Sequence, residues 1–113
     1  MSSYQTIFVI PSSATPVLGE CGWEFISEKR ISEDVLERII NELNLAASES
    51  YLDIDEYQGE KVKVIAMRDS YHHLESIHIR CYGGVETIDH LRDVISSLGG
   101  DEVEVFDPHS TPS

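Results

Sequence analysis

Tyr51-Leu52-Asp53-Ile54-Asp55-Glu56-Tyr57-Gln58-Gly59-Glu60-Lys61-Val62-Lys63-Val64-Ile65-Ala66-Met67 reads as two strands joined by a turn. A two-residue turn at Gln58-Gly59 sets Ile54 opposite Lys63 and Asp55 opposite Val62, which mixes charge with core. A three-residue loop, Tyr57-Gln58-Gly59, sets Ile54 opposite Val62 and Leu52 opposite Val64. It also matches Asp53 with Lys63 and Asp55 with Lys61 on the other face. Cross-strand pairs contribute ~0.2–1 kcal/mol each, so the second register is the expected one. Gly59 then takes the positive-φ position of a G1 bulge.

Working outward from this hairpin, Tyr4 to Ile10 is β-branched and aromatic and ends in four apolar residues before Pro11. Such a run reads as a strand covered on both faces. Pro11 to Pro16 has loop composition, and Gly19 and Gly22 extend the irregular stretch to a short strand at Trp23–Ile26. Ser32 to Ala47 reads as a helix, with Ser32 as its cap and Ile31 and Leu36 spaced as a hydrophobic staple. Val35, Leu36, Ile39, Ile40 and Leu43 form its one apolar stripe. Asp69 to His73 is a connection. Ile77 to Tyr82 alternates as a strand with Ile77, Ile79 and Cys81 inward. Val85 to Leu98 is a second one-sided helix, ended by Gly99-Gly100 in the manner of an αL cap. Glu102 to Phe106 is a last strand, and residues 108–113 are a frayed tail.

One-sided helices among more numerous strands predict an α+β fold. The expected architecture is a two-layer sandwich, with two helices on one face of a mostly antiparallel sheet of five to six strands. The other face should carry Asp53, Asp55, Lys61, Lys63, His78 and Arg80. At 113 residues, with 41% hydrophobic and 26% charged residues, the chain fits a single globular domain, residues 1–113.

Charge is the one marked deviation: 21 acidic residues against 8 basic ones, a formal net of -13. Nucleic acid and anionic membrane call for clustered Lys and Arg, and here the basic residues are scattered, so neither is an expected ligand. The electrostatically natural partner is a basic protein surface. No apolar run nears the ~18 residues of a membrane span. The residues after Met1 lack the basic region of an export signal, so the expected compartment is the cytoplasm.

Chemistry-bearing motifs are sparse. His72, His73 and His78 near Glu75 offer metal-ligand types, but adjacent histidines diverge and no His-Glu-x-x-His motif is present; no metal is expected. Gly83-Gly84 before a helix lacks the dinucleotide and Walker fingerprints, so no cofactor is expected. Cys81 has inward phase and reads as a small hydrophobe, while Cys21 beside Glu20 lacks a basic neighbour to lower its pKa. Both read as reduced thiols, and no catalytic residue is assigned.

Three functional classes follow. The first is an acidic binding module that occludes a basic, nucleic-acid-processing partner, the physics used by bacterial immunity proteins as a class. Its expected contact residues are Glu33, Asp34 and Glu37 on the first helix and Asp53, Asp55 and Glu56 on the hairpin. The second is a small enzyme or ligand-binding protein with a pocket between sheet and helices. The third is a homodimer formed through an edge strand or the outer sheet face.

Overall fold

The computed structural model describes residues 5–20, 22–82, 85–99 and 102–107. Expectations placed on Tyr4, Cys21, Gly83-Gly84, Gly100 and the tail 108–113 lie outside the described residues, as do those on the side chains of Val85 and Leu98. The fold is α+β. Its strands are β1 (Gln5–Pro11), β2 (Thr15–Gly19), β3 (Gly22–Ile26), β4 (Ala46–Tyr51), β5 (Ile54–Gln58), β6 (Val62–Arg68), β7 (Leu74–Cys81) and β8 (Val103–Phe106). The helices are α1 (Glu33–Glu42) and α2 (Val85–Gly99). Six strands form one antiparallel sheet in the order β4-β5-β6-β7-β1-β8, and β2 and β3 form a separate hairpin.

Strand alternation divides the sheet into two faces. Ile7, Val9, Val62, Val64, Ala66, Ile77, Ile79 and Cys81 point to one face and are buried with Ile31, Val35, Leu36, Ile39, Ile88, Leu91 and Ile95 from the helical side. Phe8 and Ile10 point the other way and form a smaller cluster with Ala14, against which Trp23, Phe25 and Phe106 pack. β1 is therefore covered on both faces, as its continuous apolar run predicts. The inward phase of Ile77, Ile79 and Cys81 also holds.

Several expectations are corrected. The β5–β6 register is not the one with Ile54 opposite Val62: Ile54 pairs with Met67, Asp55 with Ala66 and Tyr57 with Val64. The turn lies at Glu60-Lys61, where Gly59 N–H donates to the Val62 carbonyl at 2.9 Å. Charge pairing could not select the register, because acids at 53, 55 and 56 find cations at 61, 63 or 68 in several alignments. The observed one pairs all of β5 with β6. It also turns Asp55 to the helix side of the sheet rather than the outer face. Gly59 has no positive φ. Its lack of a side chain serves close packing, since a Cβ there would stand 2.6 Å from Leu45 Cδ2.

The first helix ends at Glu42, not Ala47. Asn44 takes the left-handed conformation (φ 53°). Leu45 N–H donates to the Ile40 carbonyl at 2.9 Å and Asn44 N–H to that of Asn41 at 3.3 Å, the two bonds of a Schellman cap. The chain leaves as β4, an edge strand whose polar Ser-Glu-Ser core carries no strand signal. Ser32 sits at the N-cap without a side-chain cap bond; its N–H donates to Glu102 Oε1 at 3.0 Å. Finally, the expected loop at Pro11–Pro16 gives way to β2 from Thr15 onward. β2 pairs with β3 from Thr15–Ile26 to Gly19–Gly22, so a third, partial layer covers the aromatic half of the outer face.

Candidate binding sites

The six carboxylates expected to form one patch are divided by the fold. Glu33 and Asp55 converge on Arg68, whose side chain is largely buried. Arg68 donates Nη1 and Nη2 to the two Glu33 oxygens at 2.7 and 2.8 Å, Nε to Asp55 Oδ2 at 3.0 Å, and Nη1 to the His72 carbonyl at 3.0 Å. The fork geometry of a guanidinium lets one cation tie the start of α1 to β5 and to the turn before β7. The Ser50 hydroxyl donates to Asp55 at 2.7 Å; with Arg68 it holds the Asp55 carboxyl below its ordinary range. The Arg68 guanidinium is shifted up in turn, first by Glu33.

Asp53 stands 3.7 Å from His72 Nδ1 at the same end of the sheet. Asp34 pairs with Arg38 on the exposed surface of α1, one turn along. Glu37 is exposed on that helix too. Glu56 alone is taken away: it lies on the outer sheet face, paired with Lys63 at 2.6 Å.

What the charge pattern does not announce is the apolar material at this end. The β4–β5 turn and the turn of residues 69–73 meet here, with Arg68 N–H donating to the Asp53 carbonyl at 2.9 Å. They present Tyr51, Leu52 and Tyr71, which are 66%, 80% and 80% exposed. Leu52 (φ 54°) and His72 (φ 65°) both hold left-handed backbone, a conformation that costs a non-glycine residue roughly 1 kcal/mol. Asp69 braces the second turn, accepting from Tyr71 and His73 N–H at 2.8 and 3.0 Å and from Arg30 Nε at 2.9 Å. Arg30 first, then these amides, bring its carboxyl down to about 2.

The second site is on the outer face, where the β2–β3 hairpin stops short of β6. Trp23, Glu24, Phe25, Ile26, Met67, Glu75, Ser76 and His78 line an open cleft of about 360 Å³. It lies on the opposite side of the sheet from the pocket expected between sheet and helices. Phe8 packs edge-on against His78, ring centroids 4.6 Å apart, and Trp23 against Phe106 at 4.8 Å. Burial, with Arg80 nearby, holds the His78 imidazole down to about 4, so it is neutral at pH 7. Ser76, only 5% exposed, has its hydroxyl 3.2 Å from His78 Nε2.

For thiol and metal chemistry the described residues offer little. Cys81 is a free, buried thiol pushed up to about 11 by desolvation and then by Asp107. Among the described residues no group of three or more His, Cys, Asp or Glu side chains is placed to hold a metal ion. No helix among them is long and apolar enough to cross a membrane. Comparison of the chain with protein-family models, with curated proteins and with solved structures finds no match in any of the three.

Proposed function

We propose that this chain is an acidic binding module for a basic protein partner and that it acts by covering that partner's working surface. The observation that carries the reading is the turn end of the sheet. There, Tyr51, Leu52 and Tyr71 stand exposed beside Asp53 and the acidic start of α1, Glu33, Asp34 and Glu37. Interfaces draw most of their affinity from a few large side chains, tyrosine prominent among them, surrounded by a polar rim. Carboxylates at the rim add speed and selectivity of encounter. Arg30, Arg38, Lys63, Arg68 and Arg92 are each engaged by a carboxylate, Glu33 and Asp34 among them, and the chain still keeps a formal net charge of -13. Partners whose own task is to hold phosphates present the matching charge, so a nucleic-acid-processing protein is the class of target.

A photo-crosslinking side chain at position 71 should capture the partner, and binding kinetics with that partner then test the reading. Leu52→Asp and Tyr71→Ala should each weaken binding tenfold or more, about 1.4 kcal/mol, chiefly through faster dissociation. Asp34→Lys with Glu37→Lys should instead slow association, and wild-type association should fall between ~0.05 and ~0.5 M salt. Glu86→Lys with Asp89→Lys on α2 should matter less. A captured partner that is acidic, or equal affinity at both salt concentrations, would sink the proposal.

A further inference from the structure

The outer-face cleft combines features that the partner reading does not use. Its walls are aromatic and apolar: Trp23 and Phe25 from β3, Ile26 at 64% exposure on the rim, and Met67 from β6. Its polar groups are Glu75, Ser76 and His78, all from β7. The Glu24 carboxylate contributes less, since it is turned toward Gly19, about 3.4 Å from where a Cβ of that glycine would stand. Ligand sites of small molecules have this composition, mostly apolar with a few convergent polar groups, in volumes of roughly 300–1,000 Å³.

Charge decides which ligand suits it. Glu75 forms no ion pair among the described residues, and the molecule around it carries a net charge of -13. Tryptophan is the best of the aromatic platforms for a cation, and the thioether of Met67 adapts to irregular shapes. Among the described residues no Lys or Arg lines the cleft: Arg80 acts on His78 from outside it, and Lys63, on the outer face, is held by Glu56. We propose that this cleft is a binding site for an organic cation with an apolar body, the chemistry shared by an arginine side chain and a small alkyl guanidine. The stem lies against Trp23, Phe25 and Met67, and the head meets Glu75 and the neutral His78–Ser76 pair. The site is independent of the turn end and of the partner proposed for it.

Two reporters are built in: Trp23 is the only tryptophan, and Met67 is one of two methionines. The test follows Trp23 fluorescence and the Met67 methyl resonance during titration with butylguanidine and with the capped tripeptide Gly-Arg-Gly. Capped Gly-Leu-Gly and butanol are the neutral controls. Saturable shifts of both reporters are expected, with a Kd on the order of 0.1–1 mM. Glu75→Gln should weaken the response about fivefold. Ile26→Lys, at a position 64% exposed, should weaken it by electrostatic repulsion. Saturation by the tripeptide alone assigns the site to an arginine side chain. Saturation by butylguanidine, with or without the tripeptide, assigns it to a free ligand. The proposal fails if neither cation moves the reporters by ~20 mM, if the neutral probes match the cations, or if both variants bind like the wild type. Charge reversal at Asp34 and Glu37 should leave these titrations unchanged, which separates this result from the fate of the partner reading.

Discussion

Strand β1 serves two cores at once. Ile7 and Val9 are fully buried against the helices, in a cluster made almost wholly of aliphatic side chains. Phe8 and Ile10, on the same strand, face a cluster closed by Trp23, Phe25 and Phe106 from a hairpin and an edge strand. The first face is sealed because two long amphipathic helices cover it. The second is covered over only part of its area, and the cleft is what remains where the hairpin ends. The sealed core thus sits on the helix side, and the open surface sits on the other.

The largest expected effect tests that asymmetry. Ile77 is 0% exposed at the centre of the aliphatic core, so Ile77→Ala should cost about 2–5 kcal/mol through lost burial and a residual cavity. Phe25 is half-buried, and Phe25→Ala should cost the global transition less, about 1–2 kcal/mol, since part of that site is already open to water. Urea denaturation of the two variants makes the comparison. Equal losses would mean that the hairpin belongs to a single cooperative core.

How far these two faces could be read from the chain follows from the kind of signal each leaves. Ile77, Ile79 and Cys81 alternate with polar residues, and the α1 stripe recurs at helical spacing, so the helix side is written in local periodicity. The hairpin side depends on Trp23 and Phe25 reaching Phe8 and Phe106, contacts distant in sequence that no periodicity marks, and proline-flanked residues 11–16 disguise the start of β2. The β5–β6 register is hidden from the sequence for a related reason. Its deciding contacts, Asp55 with Arg68 and Gly59 with Leu45, involve residues outside the turn being aligned. Of the candidate residues, Glu33, Asp34, Glu37 and Asp53 fall toward one region, but the exposed Leu52 and Tyr71 at the same end leave no pattern to find in the sequence.

A smaller, pH-dependent effect sharpens the comparison, because the outer face holds a buried titratable group. The folded-state value of His78, about 4, lies below the ordinary 6.5. Between these values the unfolded chain takes up a proton that the folded chain refuses. Stability should therefore decline as pH falls from about 6.5 to about 4, by up to roughly 3 kcal/mol, and this contribution should flatten below that window. Asp69, brought down to about 2, adds its own loss only below the ordinary carboxyl value of 3.8. Thermal melts of His78→Gln across pH 4–7 should show most of the upper-window slope removed. An unchanged slope would place the acid sensitivity elsewhere.

The smallest expected effect should be confined to the hairpin. Gly22 pairs with Gly19 at its turn and holds a φ of +118°, a region that L side chains rarely adopt. Nothing stands within 4 Å of a Cβ built there, so Gly22→Ala meets no clash and its cost is backbone strain alone, about 1 kcal/mol. Because Trp23 follows directly and reports on the hairpin, its fluorescence should shift toward a more solvent-exposed spectrum. The main urea transition, followed by far-UV circular dichroism, should move little, since Ile7, Ile77 and Ile79 keep their helical cover. Local opening of this kind is the behaviour of a region with few buried neighbours attached to a stable core. A matched fall in both signals would show that strain at one turn reaches the whole sheet, and the division between a sealed face and an open one would then be wrong.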